Sequence, residues 1–227
     1  MNIQQGAPTI SPRYIIRLVR IKEWWDKLLH LTGSAALMMF YIDRVNIDLV
    51  VVMAYLAAIV CLLMGGYTIN DAADFLQDKV AGKKGMPKRE HSLILSVASL
   101  TTSLILIYSI MSDILPILIT VITILIGLEY SLPPIRFKER GAWGIIVGSA
   151  TQKPALFMIF IAIISKWNWL STVLTVWLFC GGMLGMLGHQ ILDYQNDLKS
   201  GVWTFVARYG PRPALLLSII CAAIISR

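Results

Sequence analysis

Gly65-Gly66-Tyr67-Thr68-Ile69-Asn70-Asp71-Ala72-Ala73-Asp74-Phe75-Leu76-Gln77-Asp78 closes one apolar run, and Gly188-His189-Gln190-Ile191-Leu192-Asp193-Tyr194-Gln195-Asn196-Asp197 closes another. The two stretches align at a constant offset of 119 residues: Asn70, Asp74, Asp78 and Gly82 stand against His189, Asp193, Asp197 and Gly201, and Phe75 stands against Tyr194. Residues four apart share a helix face. At the helical rise, successive carboxylates lie about 6 Å apart along the axis. Unpaired like charges at this spacing repel, so two such rows call for a counter-charge. Hard divalent cations take carboxylate oxygens, and Mg2+ keeps waters and shares its shell with phosphate oxygens. The pattern reads as two acidic faces that hold Mg2+, which in turn holds a diphosphate. The plainer alternative is that these Asp residues only end helices in water.

The rest of the chain says what solvent surrounds those faces. Of 227 residues, 57% are hydrophobic and 15% charged, and the mean hydropathy is +0.70. Soluble domains carry about 25% charge, so this chain is too poor in charge to cover a water-facing surface. An ordinary cytosolic domain, a disordered chain, collagen and a disulfide scaffold are excluded. Cys61, Cys180 and Cys221 lie singly inside apolar runs, which argues against a disulfide framework or a zinc site. Residues 1–27 are polar and basic and do not form a signal peptide.

Seven apolar runs are expected to be spans: Leu28–Ile42, Leu49–Ile69, Leu93–Met111, Ile114–Leu132, Ala142–Ser165, Trp169–Leu192, and one from Pro213. Roughly 20 helical residues cross a bilayer core. The last run stops short of that, so more chain is expected to follow. Of the 20 Lys and Arg, sixteen fall in the first 27 residues or in the loops after spans 2, 4 and 6. Arg44 and Lys166 are alone in the opposite loops, Lys153 is inside span 5, and Arg227 ends the sequence. The positive-inside rule puts the N-terminus, the basic loops and both acidic rows in the cytoplasm. The expected organisation is one membrane domain over residues 1–227, with 1–27 as a cytoplasmic basic segment.

Other polar residues qualify as candidates. Lys83, Lys84, Lys88 and Arg89 can meet the same anion as the acidic rows, or serve only as the topology signal. Pro133 and Pro134 stop span 4, and Arg136, Lys138 and Arg140 alternate beyond them, facing either phosphate or lipid headgroups. Lys153 lies near the middle of span 5, beside Pro154, where ionisable residues default to function. Glu129 is a candidate partner for it, and His189 a candidate for metal, acceptor or helix-end contact. His30 and His91 are read as interfacial.

These features together resemble the UbiA family of intramembrane prenyltransferases. The resemblance is carried by Asn70-Asp74-Asp78 after the second span and Asp193-Asp197 after the sixth. It is strengthened by the Tyr130–Arg136 loop, Arg20 and Trp24 before the first span, and Asp197-Leu198-Lys199-Ser200-Gly201 with Thr204. Ile21 stands where the family often has Pro. The resemblance implies an all-α polytopic bundle of nine helices, of which seven are visible, around a cavity open to the cytoplasm and to lipid. It implies Mg2+ held by Asp74, Asp78, Asp193 and Asp197, with Asn70 as a further ligand and Asp71 as an extra group. An isoprenyl diphosphate bound there would ionise to an allylic cation and alkylate an acceptor, expected to be aromatic or a quinone precursor. Lys153 joins the four Asp as a catalytic candidate. Asn70, Asp71, Arg20, Lys83, Lys84, Arg89, Tyr130, Arg136, Lys138, Arg140, His189 and Tyr194 are candidates for contact with diphosphate or acceptor. Tyr67, Phe75, Tyr130, Phe157 and Tyr194 are candidates to face the cation. The expected partners are the donor, a small acceptor and membrane lipid, with no nucleic acid, and the expected location is a bacterial or archaeal cytoplasmic membrane. A terpene cyclase of the same superfamily, a transporter, and a membrane scaffold are the alternatives.

Overall fold

The computed structural model describes residues 11–42, 48–80, 82 and 85–226. Lys83, Lys84, Arg44 and Arg227 fall outside them. Among the described residues there are ten α-helices and no strand: α1 (Pro12–Val19), α2 (Ile21–Tyr41), α3 (Leu49–Val80), α4 (Arg89–Ile110), α5 (Leu115–Ser131), α6 (Ala142–Gln152), α7 (Pro154–Ile164), α8 (Trp169–Ser200), α9 (Phe205–Tyr209) and α10 (Pro211–Ile225).

Four segments are long and apolar enough to cross a membrane: α3, α4, α6 with α7, and α8. The expected fourth and seventh spans form shorter apolar helices, α5 and α10. The expected first span begins earlier than Leu28, at Ile21, so that Glu23, Asp26 and Lys27 lie within α2. Span 5 is not continuous. Pro154 has no N–H to donate and disfavours helical backbone at the residue before it, and Lys153 breaks the helix with φ −131° and ψ −55°.

The repeat read in the sequence is also a repeat in structure. Both α3 and α8 run 32 residues, about 48 Å against roughly 30 Å of bilayer core. Each therefore carries its acidic row beyond the apolar segment on continuous helix. Left-handed glycines follow both, Gly82 at φ +76° and Gly201 at φ +70°, a conformation that glycine adopts without a Cβ penalty. A capping box fixes the other end of α8, with the Asn168 side chain accepting from the Ser171 backbone N–H at 3.0 Å.

Small residues set the closest contacts. Ser92, Ser96, Ser99 and Ser103 are buried along α4, and the Ser96 hydroxyl donates to the Gly65 carbonyl of α3 at 2.9 Å. A Cβ on Gly65 would lie 2.7 Å from Leu100. Gly182 of α8 similarly admits the Ser149 carbonyl of α6, 3.0 Å from the site of an added Cβ. This is the close helix approach that small residues allow in membranes. The main apolar core gathers Leu31, Met38, Tyr55, Ile59, Phe157, Phe160 and Leu178. Outward residues such as Phe40 and Leu192 stay exposed, which suits a protein whose surroundings are lipid.

Candidate active site

One cavity of about 1170 Å3 lies among α2, α3, α5, α6, α7 and α8. Asn70, Asp74 and Asp78 line it from α3, and His189, Asp193 and Asp197 line it from α8. The two acidic rows, 119 residues apart in sequence, thus share one cleft.

The turn Phe137–Glu139 seals one wall. Gly144 makes this possible: a Cβ there would sit 2.8 Å from the Phe137 carbonyl and 3.0 Å from that of Lys138. The turn folds down onto α6 and sends Lys138, only 8% exposed, into the cavity. Its ammonium donates to Asn70 Oδ1 at 3.1 Å and to Asp74 Oδ1. Burial lowers the Lys138 pKa from the ordinary lysine value, and the neighbouring Asp74 carboxylate opposes that shift. Arg136 donates to Asp74 Oδ1 at 2.8 Å and to Gln77 Oε1 at 2.5 Å. On the other flank, Arg20 pairs with Asp71 and lies 5.5 Å from the centre of the Tyr67 ring, while the Lys27 ammonium lies 5.4 Å from it. Both are cation–π distances. Arg20 and Arg136 each adopt left-handed backbone, at φ +54° and +46°. Non-glycine residues pay roughly 1–3 kcal/mol for that conformation. Here it turns each guanidinium towards an Asp of α3.

The α8 row is held more lightly. Thr204 donates to Asp197 Oδ2 at 2.8 Å. Among the described residues neither Asp193 nor Asp197 has an ion pair.

The expected site residues do not all gather in the cleft. Asn70 Oδ1 accepts from the Ser131 hydroxyl at 3.2 Å and from the Lys138 ammonium at 3.1 Å. Among the described residues no three His, Cys, Asp or Glu side chains gather closely enough for a closed metal site. The carboxylates of both rows line the one cleft. Arg89 is exposed in the first turn of α4 and does not line the cavity. Arg140 points away from it and donates to the Ile135 and Pro134 carbonyls. Of the five aromatic candidates, Tyr67 and Tyr130 line the cavity, and Trp25, which was not among them, lines it too. Phe157 is fully buried in the core, and Tyr194 packs against the smaller apolar cluster of Ile145, Leu187, Phe205, Val206 and Ala214. Glu129 is exposed and makes no pair with Lys153.

Lys153 does line the cavity, but its neighbours come from α2: Asp26 Oδ2 at 3.8 Å and His30 Nδ1 at 3.3 Å. His30 is therefore not simply interfacial. Sequence reasoning missed Asp26, Lys27 and His30. A signal was present, since Asp26 and His30 stand four apart and share a helix face, but the apolar run was taken to start after Lys27.

The model of the UbiA prenyltransferase family matches residues 31–226. No match is found among curated proteins. Among solved structures, a UbiA homolog from Archaeoglobus fulgidus bound to DMAPP and Mg2+ is similar at TM-score 0.74 and 19% identity, over 93% of this chain and 74% of that one. The same homolog bound to GPP and Mg2+ gives 0.73 and 20%, over 94% and 75%. A digeranylgeranylglyceryl phosphate synthase gives 0.68 and 18%, over 93% and 75%. With the family model spanning most of its length, this chain belongs to the UbiA prenyltransferase family and is an integral membrane enzyme.

Proposed function

We propose that the chain transfers an isoprenyl group from an isoprenyl diphosphate to an acceptor within the membrane. The observation that carries this reading is the single cleft shared by the rows ending α3 and α8. Asp74, Asp78, Asp193 and Asp197 supply only oxygen donors, on two sides of an open space. That set fits a hard divalent cation which keeps part of its shell for water and phosphate. When bound, Mg2+ supplies positive charge that stabilises the departing diphosphate. Related structures of a UbiA homolog hold DMAPP or GPP with Mg2+, which supports the same donor class here.

The chain's own residues then divide the work. Lys138 and Arg136 bring positive charge to the diphosphate end, where charge develops as the C–O bond breaks. Tyr67 and Tyr130 present aromatic faces to the allylic cation. The apolar walls from Leu62, Leu63 and Leu156 keep water from that cation. The cation is captured by the acceptor, for which the Tyr130–Arg136 loop favours an aromatic or quinone-precursor ring by analogy. The excess of Lys and Arg around both rows favours a cleft that faces the cytoplasm.

The test is diphosphate release from donors of several lengths, in detergent, with and without Mg2+. Release that requires Mg2+ and rises with an acceptor present supports transfer. Absence of release with every donor refutes the reading.

A further inference from the structure

A second groove, of about 690 Å3, shares no lining residue with the cleft described above. Its floor is residues 133–135, and its walls are Arg136, Glu139, Arg140, Trp143 and Arg208. Three arginines against one glutamate make it basic. Glu139 is already engaged, since Arg136 Nε donates to its Oε1 at 2.6 Å, while Arg136 Nη2 goes on to Asp74. Among the described residues neither Arg140 nor Arg208 has an ion pair. Backbone carbonyls hold both in place. Arg140 donates to Ile135 at 2.5 Å and to Pro134 at 3.4 Å, and Arg208 donates to Glu139 at 3.3 Å. A guanidinium has five N–H donors, so each keeps donors in reserve. Gly141 brings the two together: a Cβ there would lie 3.5 Å from Arg208 Cδ and 3.1 Å from Tyr209 Cε2. Like charges gathered this way repel unless an anion joins them. The helix α6 also begins beside this groove without a side-chain cap, and its dipole adds positive character there.

The position of the groove says which anion it suits. Trp143 is 61% exposed in the first turn of α6, and α6 with α7 is long and apolar enough to cross a membrane. Ile146, three residues on, is exposed on the same face. An outward Trp followed by an outward Ile marks the edge of a lipid-facing surface. Lipid phosphates stand at that depth, with acyl chains running on along the helix. From this geometry we infer that the groove binds an anionic phospholipid, its phosphate between Arg140 and Arg208 and its chains over Trp143 and Ile146. Basic pockets at the ends of spans suit anionic headgroups. The inference needs only that the chain is embedded in a membrane. It goes beyond the prenyl-transfer reading, and no reacting group takes part in it.

The test uses the full chain in phosphatidylcholine nanodiscs. These carry an equal minor fraction of phosphatidylglycerol or phosphatidylcholine brominated near the headgroup. Bromine quenches indole fluorescence, and the difference between the unaltered protein and Trp143→Phe isolates the signal of Trp143. The expected result is that phosphatidylglycerol is enriched over phosphatidylcholine at Trp143 by about 5-fold or more. Arg140→Gln with Arg208→Gln should abolish the enrichment, and Lys at both positions should keep part of it. Lys88→Gln with Arg89→Gln removes the same charge at the start of α4 and should leave the enrichment in place. Should the paired Gln variant fail to fold, Arg208→Gln alone and the enrichment in the unaltered protein still decide the matter. The inference is overturned if the two lipids quench Trp143 alike, or if the Gln variants at Arg140 and Arg208 keep the full enrichment. It is also overturned if the variant at Lys88 and Arg89 abolishes the enrichment as fully, which would make it a general surface potential. Inorganic phosphate or diphosphate, at matched ionic strength, should not relieve the quenching; relief would mean a site for a soluble anion and overturn the lipid assignment. Diphosphate release plays no part in the readout, so failure of the prenyl-transfer reading leaves this result standing.

Discussion

Replacing Lys138 by Met separates the stability of the site from its chemistry. Lys138 makes two hydrogen bonds, to Asn70 and to Asp74. At an effective dielectric near 20 the attraction between two unit charges about 4 Å apart is about 4 kcal/mol, and that attraction is lost. Against this, Met no longer has to keep an ammonium out of water at a position only 8% exposed. The effective cost of that burial is several kcal/mol per ion. Asp74 is not orphaned either, because Arg136 still donates to it at 2.8 Å. The two contributions nearly cancel, and the expected change in stability is within about 1–2 kcal/mol. Turnover has no such offset. Removal of one donor aimed at developing negative charge costs about 10²–10³ in rate. The assay pairs a thermal melt in detergent with single-turnover diphosphate release at saturating donor and Mg2+. A melt that collapses along with activity, or a rate within a few fold of the unaltered protein, refutes the reasoning.

Other perturbations probe the remaining parts of the site. Asp193→Asn should lower diphosphate release by about 10² or more while leaving helix content intact; unchanged release removes Asp193 from the site. Gly144→Ala places a Cβ 2.8 Å from the Phe137 carbonyl. It should displace the turn that carries Lys138 and cost about 10-fold or more in turnover, and an unaltered rate at full occupancy of donor counts against that role for the turn. Gly65→Val forces Leu100 and the Ser96 carbonyl away from α3 and should destabilise by about 1–3 kcal/mol, read as an earlier melt; an unshifted melt means that α3 and α4 part without cost. Chelation of Mg2+ with EDTA should stop diphosphate release, and restored Mg2+ should recover it; release that continues in EDTA removes the metal from the reaction.

The legible parts of this molecule were those written in local periodicity. Spacing of four within Asn70–Asp78 and His189–Asp197 placed each row on one helix face, and the constant offset tied the rows together before any tertiary contact was known. Lys153 stood out because a charge beside Pro154 interrupts an apolar run. What escaped was what depends on other elements. Gly144 shows no local sign that it admits the turn at Phe137–Glu139, so the inward aim of Lys138 and the outward aim of Arg140 could not be told from their alternation. The buried serines of α4 read as mildly polar positions in a span, whereas in the fold they are the surface on which Gly65 packs. Asp26 and His30 are not legible as site residues because hydropathy places the start of the first span after them or at its edge, and a helix that turns polar residues towards a cavity does not announce itself that way.

The two rows are alike in sequence but not in electrostatic setting, and that difference bears on how the cleft works. Arg136 and Lys138 pair with Asp74, and Arg20 pairs with Asp71, so the α3 row already has protein cations beside it. Across the cleft, Asp193 and Asp197 have no ion pair among the described residues, and Thr204 gives Asp197 only a neutral hydrogen bond. Two fully cationic walls would hold an anion without metal, and two bare acidic walls would repel it. One neutralised wall opposite one bare wall suits a metal-bound diphosphate: the α8 carboxylates would hold the metal, and Lys138 and Arg136 would bring positive charge to phosphate oxygens. The asymmetry comes from the chain between the repeats. The basic turn after α5 reaches α3 because Gly144 lets it fold down, and an equivalent basic turn reaching α8 is not found among the described residues. The paired rows thus match in spacing, and the basic turn that lies between them in the chain makes them unequal in charge.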